Sequence, residues 1–226
     1  MVKKIFSYLI LPIIIIGLVY LIVESIMEPI RFNEQKEARE AVAIQRLKDI
    51  RDLQVAFKSE TGHFTPSIDS LKDFYNNGTL KVVMQIGSND DSLAVVNTQK
   101  LKRRNPRITP QQMLQLYVKG EHLVFSIENE IPVKDTLFNG RPDFCIDSLA
   151  FIPFCGDSII MESAVKRVSG VNVPLFEASM PYKQLLQGLD NQLRINLDAE
   201  REDTGRYPGL KVGSVTAPNN NAGNWE

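Results

Sequence analysis

Residues 5–23 read IFSYLILPIIIIGLVYLIV, a run that contains no charged side chain. At about 1.5 Å per residue, a helix of this length spans the hydrocarbon core of a bilayer. The preceding residues 1–4 read MVKK, whereas Glu24 and Glu28 follow the run. Because positive charge stays on the cytoplasmic side, this order predicts a cytoplasmic start and a periplasmic domain after Glu24. We therefore expect a single-pass protein of the inner membrane, anchored by residues 5–23.

A cleaved signal peptide is the competing interpretation of the same run. Signal peptides have shorter apolar cores and end at a small-x-small cleavage site. The residues after the run, Glu24-Ser25-Ile26-Met27-Glu28, contain no such site and no lipobox cysteine. We therefore expect an uncleaved anchor in contact with inner-membrane lipid.

The residues after the anchor predict a long amphipathic helix over residues 24–62. Pro29 is expected to kink this helix near the membrane boundary, and Gly62 is expected to end it. Its apolar residues recur three or four positions apart, which favours a stripe that packs on a folded domain. The stripe consists of Ala41, Ile44, Leu47, Ile50, Leu53 and Phe57.

The remaining chain predicts an α+β domain over residues 63–216. Short helices are expected after Thr65 or Ser67 and over Gln111–Tyr117. Strands are expected where β-branched and aromatic residues lie between turn signals. These strands are Leu80–Ile86, Val124–Ile127, Phe144–Phe154, Ser158–Glu162 and Gln192–Leu197. The predicted fold is one long helix packed on an antiparallel β-sheet. The Asn-rich residues 217–226 are expected to form a flexible C-terminal tail.

The end of the predicted long helix resembles a segment of known families. It reads Phe57-Lys58-Ser59-Glu60-Thr61-Gly62-His63-Phe64-Thr65-Pro66, followed by Leu71. Type IV pilins and the pseudopilins of type II secretion systems also have a membrane helix that runs straight into an amphipathic helix. In them that helix ends at a similar Thr-Gly-x-aromatic-Pro segment, and a proline often follows the apolar run, as Pro29 does here. The resemblance covers about residues 5–80. It implies a pilin-like fold and a structural or assembly role.

The chain departs from that family at the prepilin peptidase site. The family has a Gly before an aromatic residue or Met, just ahead of the apolar run, and a Glu shortly inside it. Here no Gly precedes Ile5, and Pro12 stands near the position of that Glu. We therefore expect no processing by that peptidase. The family's subunit docking uses that Glu, so fibre assembly here would lack the usual contact.

The chain contains two cysteines, Cys145 and Cys155, in the part expected outside the cytoplasm. Disulfides persist there, and a bond between them would stabilise the fold by about 2–3 kcal/mol. If Phe144–Phe154 is instead one extended strand, the two sulfurs lie about 30 Å apart and cannot join. Both interpretations stay open from the sequence.

No arrangement of residues in the sequence predicts catalysis, a cofactor or a metal. The two histidines, His63 and His122, have no partner at metal-ligand spacing. The cysteines do not form a CxxC pair, and no nucleophile elbow or phosphate-binding loop occurs. The large apolar residues of the C-terminal half are expected in the core: Phe144, Phe151, Phe154, Leu175 and Phe176. We therefore expect a protein that is not an enzyme.

One dense cluster of positive charge stands out in a chain whose net charge is −1. It contains Lys102, Arg103, Arg104 and Arg107, just before Thr109. Outside the cytoplasm, such a cluster would meet an anionic lipid, an acidic polymer or an acidic partner rather than nucleic acid. The alternative interpretation is a solvated loop without a ligand.

Two functions therefore remain. The first is a non-enzymatic structural or assembly subunit of a secretion or pilus-like envelope machine. Its partners would be other envelope proteins, or further copies of the chain, bound through the anchor and the amphipathic helix. The alternative is a membrane-tethered periplasmic binding module that uses the basic cluster.

Overall fold

The structure is a computed structural model that describes residues 11–226. The predictions for residues 1–4 and for residues 5–10 of the anchor lie outside the described residues. The chain divides into two compact units. The main unit consists of Met1–Leu71 and Cys145–Glu226, and the inserted unit consists of Lys72–Phe144. Residues 63–216, predicted as one domain, contribute to both units.

The α+β class is confirmed, and the predicted single sheet is replaced by two small antiparallel sheets, β1–β2 and β3–β4–β5. The helices are α1 (Leu11–Thr61), α2 (Ile68–Asn77), α3 (Ser92–Arg104), α4 (Pro110–Val118), the single turn α5 (Val133–Thr136), the 3-10 helix (Ile146–Ala150), the single turn α6 (Tyr182–Leu185) and α7 (Asn191–Asp203). The strands are β1 (Thr79–Ile86), β2 (Phe125–Pro132), β3 (Ile160–Val168), β4 (Val171–Pro181) and β5 (Gly209–Gly213).

Helix α1 continues from the apolar run into the core of the main unit without a break, as the sequence predicts. Pro29 lies inside the helix and does not end it. The centre of the predicted stripe is fully buried, at Leu47, Ile50 and Leu53. At the end of the helix, the backbone N–H of Gly62 donates to the carbonyl of Lys58 at 2.8 Å. Gly62 has a φ of 79°, which a glycine adopts without the steric cost that a side chain adds.

The sheet of the main unit is a meander in which β4 is the central strand. Strands β3 and β4 form a hairpin that closes at Val168 and Val171. Its two turn residues, Ser169 and Gly170, both have positive φ, which matches the twist of a two-residue hairpin. Helix α1 packs against β4 and β5. The core that results includes the fully buried Ala178, Met180, Tyr182, Leu185 and Val212.

The inserted unit is built on the antiparallel pair β1–β2, whose register runs from Thr79 opposite Pro132 to Ile86 opposite Phe125. Its core consists of Met113, Leu123, Phe125 and Ile127. Helix α4 begins with a capping box, in which Thr109 and Gln112 each bind the other's backbone N–H. Capping of this kind satisfies two donors at a helix start. The predicted strand Leu80–Ile86 and helix Gln111–Tyr117 are both confirmed.

The prediction of a strand over Phe144–Phe154 is wrong. Residues Ile146–Ala150 form a 3-10 helix, and Phe151 makes only an isolated bridge to Ser158. The Ser148 hydroxyl donates to the carbonyl of Cys145 at 2.7 Å, which holds the chain in a turn. The carbonyls of Ser148 and Phe151 accept hydrogen bonds from Arg46 rather than from a neighbouring strand. A side chain distant in sequence therefore satisfies the backbone that a strand would have paired.

The prediction of a strand over Gln192–Leu197 is also wrong, because these residues lie in helix α7. Asp190 caps that helix by accepting from the backbone N–H of Leu193 at 2.7 Å. One turn further, Arg194 and Asp198 form an ion pair at 2.6 Å. Both features stabilise a helix, and both lie at helical spacing in the sequence.

Residues 217–226, predicted as a flexible tail, instead fold back on β5. The backbone N–H groups of Gly213 and Asn224 donate to Ala222 and Lys211, each at 3.0 Å. The Asn224 amide donates to the carbonyl of Gly209 at 2.9 Å. The asparagine-rich composition that suggested disorder thus supplies side-chain hydrogen bonds at an edge of the sheet.

Candidate functional site

The first part of α1 is apolar and fully exposed. Ile13, Ile16, Tyr20 and Leu21 each expose at least 60% of their surface to the surroundings. Over the part of the chain that the structure describes, α1 is the one helix long and apolar enough to cross a membrane. A large exposed apolar surface of this kind is typical of a site that contacts a membrane or another protein. The described part of the predicted anchor is therefore compatible with a single membrane pass.

The second part of α1 is fixed to the main unit by two arginines. Arg39 donates from Nη1 to the carbonyls of Leu185 and Gln187, at 3.0 and 2.8 Å. Arg46 donates from Nη1 to the carbonyls of Ser148 and Phe151, at 2.9 and 2.6 Å. Burial lowers the pKa of Arg46 from its ordinary value. Each guanidinium therefore attaches a segment of the main unit to α1: Arg39 binds residues 185–187, and Arg46 binds residues 148–151.

A third attachment is polar and buried. The Tyr182 hydroxyl donates to the Glu40 carboxylate on α1, and the tyrosine side chain is fully buried. The Arg201 guanidinium lies 5.0 Å from the Tyr182 ring, and Lys36 Nζ lies 4.0 Å from Glu40 Oε1. Burial and the neighbouring Glu40 charge raise the pKa of Tyr182 above its ordinary value. This cluster joins α1, α6 and α7.

Two large aromatic side chains lie exposed beside α1. Phe151 and Phe154, predicted as core, expose 46% and 57% of their surface, whereas Leu175 and Phe176 are buried as predicted. The Phe154 ring lies 4.9 Å from the guanidinium of Arg39. Phe154 also has a φ of 72°, an outlier for a bulky residue. Phe154 is thus a largely exposed aromatic side chain, with a contact to Arg39, on an unfavourable backbone conformation.

Phe144, also predicted as core, lies half-buried in an aromatic cluster of the inserted unit. Its ring stacks on Phe138 at 4.1 Å and meets Tyr75 at 5.3 Å. The Arg141 guanidinium lies 4.7 Å from the Phe138 ring. No local sequence pattern predicts this cluster, because Tyr75 and Phe144 lie far apart in the chain.

The predicted basic residues lie at the end of α3 in the inserted unit. Lys102, Arg103 and Arg104 occupy the last turn of the helix, and Arg107 follows it. All four are exposed. The interpretation of these residues as a loop is wrong for Lys102, Arg103 and Arg104 and holds for Arg107. The helix starts at the Asp91 carboxylate, which accepts from the N–H groups of Leu93 and Ala94. Cationic side chains are favoured at a helix C-terminus, where the carbonyl ends carry partial negative charge.

A shallow pocket of about 390 Å³ lies next to this basic turn. Its lining combines one face of α3 with the connection between α4 and β2: Asn97, Lys100, Leu101, Arg104, Gly120, Glu121 and His122. His122 Nδ1 lies 3.8 Å from the Asp91 carboxylate, and both side chains are exposed. The structure therefore brings Arg104 together with Lys100, a residue outside the predicted set.

The remaining candidate groups stay apart. His63 has its Nδ1 3.0 Å from the carbonyl of Thr61 and its ring against Phe57. Both cysteines are free in the structure, with Cys145 exposed and Cys155 half-buried; a bond between them is one of the two interpretations that the sequence leaves open. Within residues 11–226, no group of three His, Cys, Asp or Glu side chains is placed to hold a metal ion.

Comparison with known proteins identifies no relative: no family model, no curated protein and no solved structure matches the chain.

Proposed function

We propose that this chain is a membrane-anchored, pilin-like structural or assembly subunit of an envelope machine, and that it acts without catalysis. One observation carries the proposal. A single helix passes from an exposed apolar segment directly into the core of the main unit. At about 1.5 Å per residue, α1 is roughly 75 Å long. A continuous helix of this kind connects a membrane to a folded unit, which suits a subunit of an assembly.

The proposal includes a topology. The order of charges around the apolar run supports a cytoplasmic N-terminus and a periplasmic position for both folded units. Inner-membrane lipid then covers the side chains that α1 exposes, such as Ile16 and Ile22. The other partners are envelope proteins or further copies of this chain.

The exposed Phe151 and Phe154 supply a contact surface for such a partner. Aromatic side chains are enriched at the centres of protein interfaces. Backbone outliers cost about 1–3 kcal/mol and cluster where a residue serves recognition or catalysis. Phe154 combines an exposed ring with such an outlier, directly beside the helix that would carry lateral contacts.

Purification of the tagged full chain from native membranes in mild detergent tests the proposal. We expect envelope partners in fixed stoichiometry, and mass spectrometry should find a protein that still contains the apolar run of residues 5–23. The double variant F151S/F154S should lose those partners. Its matched control is V165S/V171S, which removes two other apolar side chains of the main unit that are each more than 60% exposed. A solitary protein in the native membrane, or equal loss of partners in both variants, would contradict the proposal.

A further inference from the structure

The inserted unit contains a segment with a charge balance unlike that of the rest of the chain. Between Ser92 and Gly120 there is no Asp or Glu, and there are six cationic residues: Lys100, Lys102, Arg103, Arg104, Arg107 and Lys119. The whole chain has a net charge of −1, so the remainder is acidic. Helices α3 and α4 lie within this segment. Four of the six cations lie on α3 and none lies on α4, so the positive charge is concentrated at the C-terminal end of α3.

Helix α3 has one inward face and one outward face. Ala94 and Thr98 are buried, and Leu101 packs against the core of the inserted unit. The Thr98 hydroxyl accepts a hydrogen bond from the backbone N–H of Val124 at 2.8 Å, just before β2 begins. These contacts fix which side of α3 meets solvent.

The outward face of α3 combines charge with large apolar side chains. Leu93, Val96, Lys100 and Arg103 follow one another at helical spacings of three and four, and Arg104 lies four residues after Lys100. Leu93 and Val96 expose 58% and 44% of their surface, and the three cations are exposed. We term this surface the α3 face. The pocket lined by Lys100 and Arg104 opens on it.

We propose that the α3 face binds the surface of an anionic lipid bilayer. Lys and Arg side chains are attracted to the negative headgroups, and apolar side chains between them enter the headgroup boundary. Lys100 and Arg104 beside the pocket are placed to bind one headgroup phosphate. This inference goes beyond the proposed assembly role and does not depend on it.

The composition of the α3 face favours a bilayer over a soluble polyanion. Leu93 and Val96 lie on the same face as the cations, and a soluble acidic polymer has nothing to cover them. Single-stranded nucleic acid is bound on aromatic platforms, and the α3 face carries no aromatic residue. A bilayer with acidic headgroups complements both the charged and the apolar side chains.

Vesicle binding by the full chain tests this inference. The protein is held in nanodiscs of zwitterionic phosphatidylcholine, so that lipid already surrounds the apolar part of α1 and this part does not bind the added vesicles. Vesicles of phosphatidylcholine, with or without 30% phosphatidylglycerol, are added at two salt concentrations and then separated by flotation. We expect binding to the anionic vesicles alone, and we expect it to weaken as salt rises.

Three variants separate the contributions. Each Lys or Arg near an anionic surface strengthens binding roughly fivefold, so K100Q/R103Q/R104Q should weaken binding by about 100-fold. The control K134Q/K183Q/R206Q removes the same charge from exposed positions elsewhere, and it should bind nearly as the wild type does. L93S/V96S should weaken binding by about tenfold, because apolar burial contributes to interfacial binding. Far-ultraviolet circular dichroism checks that each variant keeps its helices.

Several results would overturn the inference. Equal binding to vesicles with and without phosphatidylglycerol would remove the charge complementarity on which it rests. Equal losses in the two triple variants would mean that only net charge matters. If L93S/V96S bound as tightly as the wild type, and soluble heparin displaced the vesicles fully, the α3 face would be a site for soluble polyanions instead.

Discussion

Gln54 and Thr65 exchange two hydrogen bonds in the interior of the main unit. The Gln54 amide donates from Nε2 to the carbonyl of Thr65 at 2.5 Å and accepts at Oε1 from the Thr65 N–H at 3.2 Å. Gln54 is fully buried on α1. The pair fixes the chain that follows Gly62 against the helix that precedes it.

Replacement of Gln54 by Leu should lower the free energy of unfolding by about 2–4 kcal/mol. The variant leaves the N–H and the carbonyl of Thr65 buried without partners, and each such group costs about 1–3 kcal/mol. The measurement is urea unfolding of the full chain in detergent, followed by the fluorescence of Trp225, the single tryptophan. Gln35→Leu, at an exposed position of the same helix, should change the value by less than about 0.5 kcal/mol. Equal effects of the two variants would contradict this role of Gln54.

The hydrogen bond between Tyr182 and Glu40 should appear as coupling in a double-mutant cycle. A buried hydrogen bond to a charged group contributes about 1.5–3 kcal/mol, and we expect this coupling between Y182F and E40A. Additive effects of the two substitutions would mean that the hydroxyl and the carboxylate act independently.

The same tyrosine should make stability depend on alkaline pH. Burial and the Glu40 carboxylate raise the pKa of Tyr182 above its ordinary value of 10.0. The folded state then keeps the phenolic proton where the unfolded chain loses it. The stabilisation is complete below pH 10 and falls as pH rises above it. The difference in unfolding free energy between the wild type and Y182F should therefore shrink from pH 9 to pH 11, and a constant difference would contradict the assignment.

Arg51 should hold residues 217–226 in place through Glu226. The two side chains form an ion pair at 2.6 Å, and the hydrogen bond from Arg51 lowers the pKa of the Glu226 carboxyl from its ordinary value of 4.5. A lowered folded pKa stabilises the folded state above pH 4.5, and the effect is lost as pH falls below it. Trp225 emission should shift to longer wavelength in R51A at pH 7, and in the wild type only in acid. If the R51A spectrum matched that of the wild type at pH 7, the pair would not hold the segment.

Phe154 should be dispensable for folding. Phe154→Gly removes the cost of a positive φ and loses one exposed cation–π contact, so the free energy of unfolding should change by less than about 1 kcal/mol. Phe176→Ala, at a buried position, should lower it by about 3–5 kcal/mol. Urea unfolding compares the two variants. A large loss of stability in Phe154→Gly would assign the ring to the fold rather than to a partner.

The sequence predicts α1 well because its signals are local and strong. A charge-free run, an apolar stripe at helical spacing and a terminal glycine act within a few turns of one another, and the helix ends where Gly62 predicts. Helices α3 and α7 also begin at local sequence signals. Asp91 and Asp190 are N-cap residues, and recognising them would have replaced the predicted loop and strand by helices.

The conformation of the segment around Phe151, in contrast, depends on a contact that is distant in sequence. Its carbonyls are satisfied by Arg46, which lies more than 100 residues away in the sequence. No pattern within the segment predicts that partner, so its apolar and aromatic composition favoured a strand. The candidate surfaces likewise depend partly on composition and partly on the folded structure. The basic residues are evident from composition, but only the folded helix places Leu93 and Val96 on the same face as Lys100 and Arg103.

The most direct test of the account is the side of the membrane on which Cys145 lies. This thiol is exposed and free, and the variant C155S leaves it without a possible disulfide partner. A membrane-impermeant maleimide should label C155S in intact spheroplasts, whereas K3C, in a background without other cysteines, should be labelled only after the inner membrane is lysed. That result supports a single pass with both folded units outside the cytoplasm. Labelling of Cys145 only after lysis, or release of the protein from the membrane by alkaline carbonate, would contradict the account.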